Sequence, residues 1–147
     1  MRRPRTWAEW WLSGAGIGYL PGAPATWGSL LGLGLLVGSG WLPVGLGLLT
    51  WGIALAVSQK AFRQAAPSQP DPPWIVADEI LALWLVGFLT PPATPVHVVE
   101  AFFWFRFWDI TKLWPAVVAE KVPGFWGILA DDLVAAMYTV LCLWLMQ

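Results

Sequence analysis

Charge is scarce in this chain. Only 12% of its 147 residues are Asp, Glu, Lys or Arg, about half the share usual in soluble domains. The formal net charge of −1 says little, because the placement of charges matters more than their sum, and no nucleic-acid partner is expected. A single cysteine, Cys142, excludes an internal disulfide framework and Cys-cluster metal sites. Neither GxxxxGK[ST] nor GxGxxG occurs, so the common nucleotide-phosphate loops are missing. Repeats and low-complexity tracts are absent too. No signal peptide is expected: "MRRPR" is basic, but Pro4 and the Trp-rich "TWAEWW" follow it instead of an apolar run and a small-residue cleavage site.

What remains is apolar and aromatic. Hydrophobic residues make up 58% of the chain and Trp alone supplies 13. The mean hydropathy is +0.63. Trp suits the two edges of a bilayer. The expectation is one all-α domain over 1–147, an integral membrane helical bundle with about four to five membrane-embedded helices.

Residues 5–14 predict an interfacial helix, placed within an N-terminal segment 1–14. Trp7, Trp10 and Trp11 share one face, and Arg2, Arg3 and Arg5 precede them. A Gly/Pro-rich loop, "GAGIGYLPGAPATWGS", follows. Apolar segments at 29–40 and 44–60, broken by "GWLP", predict a helical hairpin whose first arm is short for a full span. After the polar loop 64–73 come helix 75–90, the turn "TPPATP", helix 96–113, a loop to about 126 and a last helix 127–146. With a cytoplasmic N-terminus and alternating segments, all eight basic residues fall at or near the cytoplasmic side. These are Arg2, Arg3, Arg5, Lys60, Arg63, Arg106, Lys112 and Lys121. The loops at 41–43 and 91–95 carry none, as the positive-inside rule requires.

The acids pose the question. "WIVADEILALWLVGFL" is apolar enough for a bilayer, yet Asp78 and Glu79 stand side by side near its start. At the centre of a membrane helix each would cost about 2.5–3.5 kcal/mol. On the map above, Asp78, Glu79, Asp109, Asp131 and Asp132 all fall at one depth, just inside the cytoplasmic face, where that cost is smaller. Short loops make the three helices neighbours. Carboxylates grouped in this way suit a hard cation such as Mg²⁺, which polarises phosphoryl oxygens and activates water. Arg106 and Lys112 suit a phosphate. Thr26, Gly28 and Ser29 open a helix whose free N–H groups can face an anion. His97 lies toward the far side, and Cys142 lacks basic neighbours that would activate a thiolate. Water activated by metal is the expected nucleophile, with a carboxylate nucleophile as the other option.

Four stretches then form an ordered set: "PGAPATWGSL", "VADEILALWL", "FRFWDITKLWP" and "GILADDLVAAM". Together they resemble the phosphatidylglycerophosphatase A family, over about residues 14–137. That family's pattern is a P-G-T-x-G-S-L loop, a D-E at a helix start, F-R-x-x-D-x-x-K-P-W-P and G-x-x-x-D-D. Its polar positions match at Thr26, Gly28, Ser29, Asp78, Glu79, Arg106, Asp109, Lys112, Asp131 and Asp132. Ala25 and Leu113 depart from it, standing where the family has Gly and Pro. The resemblance implies an all-helical bundle acting at the bacterial inner membrane, while the multi-pass arrangement with a site facing the cytoplasm is the expectation from composition and charge placement. It also implies Mg²⁺-dependent hydrolysis of the phospholipid phosphatidylglycerophosphate to phosphatidylglycerol. Two other readings compete. An ion or proton transport subunit would need polar residues through the whole thickness, whereas "LALWLVGFL" and "VAAMYTVLCLWLM" are nearly all apolar. Another lipid-headgroup phosphotransferase, of the CDP-alcohol type, would resemble D-x-x-D-G-x-x-A-R, and no such run occurs.

Overall fold

Local chemistry sets most of the helix boundaries. In α1 (Trp7–Leu12) the Thr6 hydroxyl caps the start, accepting from Glu9 N–H at 3.2 Å. Pro24 is preset for the first turn of α2 (Pro24–Gly38), so this helix begins five residues before the predicted apolar arm. Pro43 precedes α3 (Val44–Ala65), and α4 (Ala77–Leu89) follows the Pro-rich loop. Thr94 caps α5 (Pro95–Thr111). A short helix, α6 (Ala116–Ala119), interrupts the predicted loop ahead of α7 (Phe125–Leu145). A single 3₁₀ turn covers Ile17–Tyr19. The computed structural model describes residues 3–147, and Arg2 of the predicted basic cluster lies outside them. Among the described residues there are seven α-helices and no strand, so the all-α expectation holds.

The buried centre is α4. Ten of its thirteen residues are buried, including Asp78 and Glu79, which is how a helix that is apolar all round is accommodated. α2 lies against it at very short range. Gly28 and Gly32, four apart, put α2 backbone on Val76 and on the Ile80 main chain, while Gly87 of α4 receives Leu36. A Cβ at Gly28 would stand 2.6 Å from Val76 Cβ, so only glycine permits this approach. On one side α4 joins α2, α5 and α7 around Leu36, Leu83, Val86, Phe105, Ala136 and Val140. On the other it joins α1, α3 and α7 around Leu12, Ala61, Leu81, Phe125 and Leu129. Two cross-links hold that second side. Trp51 Nε1 of α3 donates to Leu81 C=O at 2.8 Å, and Val76 N–H donates to Leu12 C=O at 2.9 Å.

Two helices, α3 and α7, are long and apolar enough to cross a membrane. α2, α4 and α5 have 15, 13 and 17 residues. At 1.5 Å per residue these three are shorter than a full bilayer core of ~30 Å. α3 turns large apolar side chains outward, among them Leu46, Leu49 and Ile53.

Candidate active site

Three helix segments converge on the acids. Asp78 and Glu79 occupy the first turn of α4, Asp109 the last turn of α5, and Asp131 and Asp132 the second turn of α7. One oxygen each from Asp78, Glu79 and Asp132 lie within 4.8 Å of one another, and so do oxygens of Asp109, Asp131 and Asp132. Asp132 therefore belongs to both triads and joins all five carboxylates into one cluster. The cluster lines a pocket of about 520 Å³, which Asp71, Lys112, Glu120, Lys121 and Ala25 also help to line. Three of its oxygens, Asp78 Oδ1, Glu79 Oε2 and Asp132 Oδ2, are buried without a hydrogen-bond partner.

An unsatisfied buried carboxylate oxygen costs more than an unsatisfied neutral group. Three such carboxylates gathered within one triad would be satisfied by a bound cation. An all-oxygen set of this kind fits a hard divalent ion such as Mg²⁺ and is unsuited to soft metals.

Of the two cations expected to bind phosphate, Lys112 lines the pocket, whereas Arg106 is held against Asp109 and is not among the lining residues. Arg106 Nη1 donates to Asp109 Oδ2 at 2.6 Å, one turn apart on α5. Lys112 is the residue after α5 and has a left-handed backbone, φ +47°. Its Nζ reaches Asp131 Oδ2 at 2.8 Å and Glu120 Oε2 at 2.9 Å. Partial burial alone would lower its pKa. The hydrogen bonds and charges of Asp131 and Glu120 outweigh that and raise it, so Lys112 stays a cation through neutral and moderately alkaline pH.

The stretch expected to cradle phosphate is placed differently from the acids. Thr26, Gly28 and Ser29 lie inside the first two turns of α2. Ser29 is fully buried and its hydroxyl donates to Ala25 C=O at 2.9 Å. Gly28 faces Val76. From this stretch it is Ala25 that lines the acid pocket. Leu113, the second departure from the family pattern, is exposed.

Three pocket residues escaped the sequence reading: Glu120, Asp71 and, as a lining residue, Lys121, whose charge suggested only topology. They come from the loops 64–73 and 112–124, where no periodicity reports what a side chain faces. The one usable signal was "AEKVPG" itself, an acid and a base next to a turn close to the "ADD" helix.

The last of these loops folds back on α7 at Gly127. A Cβ there would collide with the Val122 carbonyl and stand 3.3 Å from that of Glu120. Gly127→Ala is therefore expected to cost about 1–3 kcal/mol by overpacking against backbone. It should also displace the turn that delivers Asp131 and Asp132. A lowered unfolding midpoint in detergent together with a loss of turnover would show both effects. An unchanged midpoint would count against the close approach.

An all-helical scaffold with apolar helices and a pocket of carboxylates joined by Lys112 suits phosphomonoester chemistry, and similarity to known proteins makes the class a lipid phosphatase. The chain belongs to the phosphatidylglycerophosphatase A family, whose model matches residues 10–147. It is 32% identical over 139 residues to "Phosphatidylglycerophosphatase A" of Haemophilus influenzae, covering 91% of this chain and 85% of that protein. It is also 29% identical over 136 residues to a Bacteroides thetaiotaomicron protein named "Putative phosphatidylinositol-3-phosphatase", covering 86% and 85% of the two chains. No solved structure matches it.

Proposed function

We propose that the protein hydrolyses the terminal phosphomonoester of phosphatidylglycerophosphate, giving phosphatidylglycerol and inorganic phosphate. The reaction takes place at the cytoplasmic face of the bacterial inner membrane. The chain is multi-pass, with α1 in the interface and α2–α5 and α7 embedded. The outward apolar face of α3 and the length of α7 support this placement, as does the absence of basic residues from the loops at 41–43 and 91–95 in the sequence.

One observation carries the chemistry: Asp78, Glu79 and Asp132 are buried with carboxylate oxygens within 4.8 Å of one another, and each has an oxygen without a hydrogen-bond partner. With Asp109 and Asp131, these residues would hold Mg²⁺. The bound ion supplies Lewis-acid polarisation and charge neutralisation. The remaining groups are the chain's own. Arg106 and Lys112 draw the phosphate dianion to the rim and neutralise charge that builds on its oxygens. A carboxylate of the cluster orients water and accepts its proton as the water oxygen bonds to phosphorus. The P–O bond to the glycerol carbon chain breaks, and the departing alkoxide takes up a proton to become the alcohol. Of the α2 start, Ala25 reaches the pocket wall, and a phosphate oxygen there would approach the free N–H groups of the first helical turn, beside Thr26.

The Bacteroides relative raises a second phosphomonoester lipid, phosphatidylinositol 3-phosphate. Phosphate release in detergent micelles, with each lipid in turn, separates the two. Phosphatidylglycerophosphate is expected to win by at least about tenfold in kcat/KM, roughly 1.4 kcal/mol of transition-state preference. Faster turnover of the inositol lipid would transfer the assignment to it. No release of phosphate from either lipid by the folded protein would remove it altogether.

A further inference from the structure

The acid pocket occupies one face of α4. The opposite face, carrying Ala77, Ile80, Leu81 and Trp84, lines a larger cavity of about 680 Å³ that the hydrolysis does not use. α1, α2 and α3 complete its walls, with Trp10, Leu35 and Ala54 among the contributors. Its one hydroxyl, Ser58 Oγ, is already engaged: it accepts from Trp11 Nε1 at 2.8 Å and donates to Ala54 C=O at 2.8 Å. A ligand filling this space meets apolar surface only. At one end, Trp10 and Ala15 are shared with a second cavity of about 430 Å³ that Arg3, Gly16 and Tyr19 help to line. The acid of α1, Glu9, lines neither cavity. Its Oε2 accepts from Arg5 N–H at 2.6 Å.

An apolar chamber that adjoins, at Trp10 and Ala15, a second chamber lined in part by Arg3 matches one chemistry. It matches a molecule with a long hydrocarbon chain and an anionic head. The chamber also has the right orientation. It begins beside α1, at the interface, and follows α4 from Ala77 to Trp84, about 10 Å into the bilayer at 1.5 Å per residue.

Its occupant is not the substrate reaching around to the acids. Gly28 against Val76 and Gly32 against Ile80 close the seam between α2 and α4 at backbone contact, leaving no passage for an acyl chain.

We propose that this two-chambered groove is an accessory site for an anionic phospholipid of the inner leaflet. One acyl chain lies along α4 and the phosphate lies near Arg3. This rests on the membrane placement above and is independent of which lipid is hydrolysed.

The test uses the full-length protein in detergent and native mass spectrometry, titrating phosphatidylglycerol and phosphatidylcholine with matched acyl chains. The wild type should retain one phosphatidylglycerol per chain with roughly fivefold preference over phosphatidylcholine, the size expected of one interfacial cation. Arg3→Gln, at an exposed position, should erase the preference. Ala54→Phe, which fills the apolar chamber, should abolish retention of both lipids, and Leu35→Trp tests the same chamber from α2 should Ala54→Phe fail to fold. Retention should survive Asp132→Asn, whatever that change does to turnover. Equal retention of the two lipids by the wild type would overturn the proposal. So would undiminished retention in the filled variants, or loss of the lipid in Asp132→Asn, which would place it in the acid pocket.

Discussion

Excess EDTA is expected to abolish phosphate release, and Mg²⁺ added back is expected to restore it. The reason lies in the charge balance of the pocket. Two ionised carboxylates about 5 Å apart repel by about 3 kcal/mol at an effective dielectric of 20. The two triads contain several such pairs, with oxygens inside 4.8 Å. Arg106 and Lys112 are turned toward Asp109 and Asp131. Asp78, Glu79 and Asp132 are left with oxygens that no donor meets. A phosphate dianion approaching five carboxylates without a compensating dication would be repelled. The expected fall in rate is at least about 10³-fold, or about 4 kcal/mol. Thermal unfolding offers a readout independent of turnover. Mg²⁺ at 100 times its dissociation constant should stabilise the fold by about 2.7 kcal/mol. Turnover that persists in EDTA with no change in unfolding temperature would remove the metal from the account.

Asp132→Asn should be the most damaging single change at the cluster. Asp132 is the carboxylate common to both triads and it is almost fully buried. The amide keeps the volume, so packing against α4 and α5 survives, but it removes one negative charge and replaces an acceptor oxygen with a donor. A loss of about 10³-fold in kcat is expected, with KM changing much less, if Arg106 and Lys112 bind the substrate's phosphate as proposed. Asp71, on the outer lining of the same pocket, makes a useful comparison. Activity in Asp132→Asn within a factor of a few of wild type would show that the shared carboxylate is dispensable. The candidate site would then shrink to one triad.

Periodicity and breakers in the sequence were enough to outline the bundle, because its helices are bounded by Pro and Gly and capped by Thr6 and Thr94. The predicted 75–90, 96–113 and 127–146 segments differ from α4, α5 and α7 by one or two residues at each end. The start of α2 was misplaced for a physical reason. "PATWGS" reads as loop by composition, yet Pro24 preorganises a first helical turn, and its two small residues Gly28 and Ser29 are needed where α2 meets α4. The acids could be assigned to one level because charges in an apolar helix have few tolerable positions. Which oxygens would face one another depends on the rotation of each helix, and no spacing along the chain encodes that. Lys112 shows the same limit: its left-handed backbone sends the side chain to Asp131 and Glu120, a direction that a helix continuing to residue 113 would not have given.

The hydrogen bond between Leu12 and Val76 has a further consequence. It fastens the last turn of the Trp-rich helix to the residue two places before Asp78. On the proposed membrane placement, α1 would take its height from the surface, through Trp side chains suited to the headgroup layer. The fastening would pass that height on to the carboxylates. The pair would then act as a depth gauge, in which the surface sets the level of the helix and the helix sets the level of the chemistry. Selectivity for lipid over a soluble phosphomonoester would then begin with altitude, before any contact with the head itself is made.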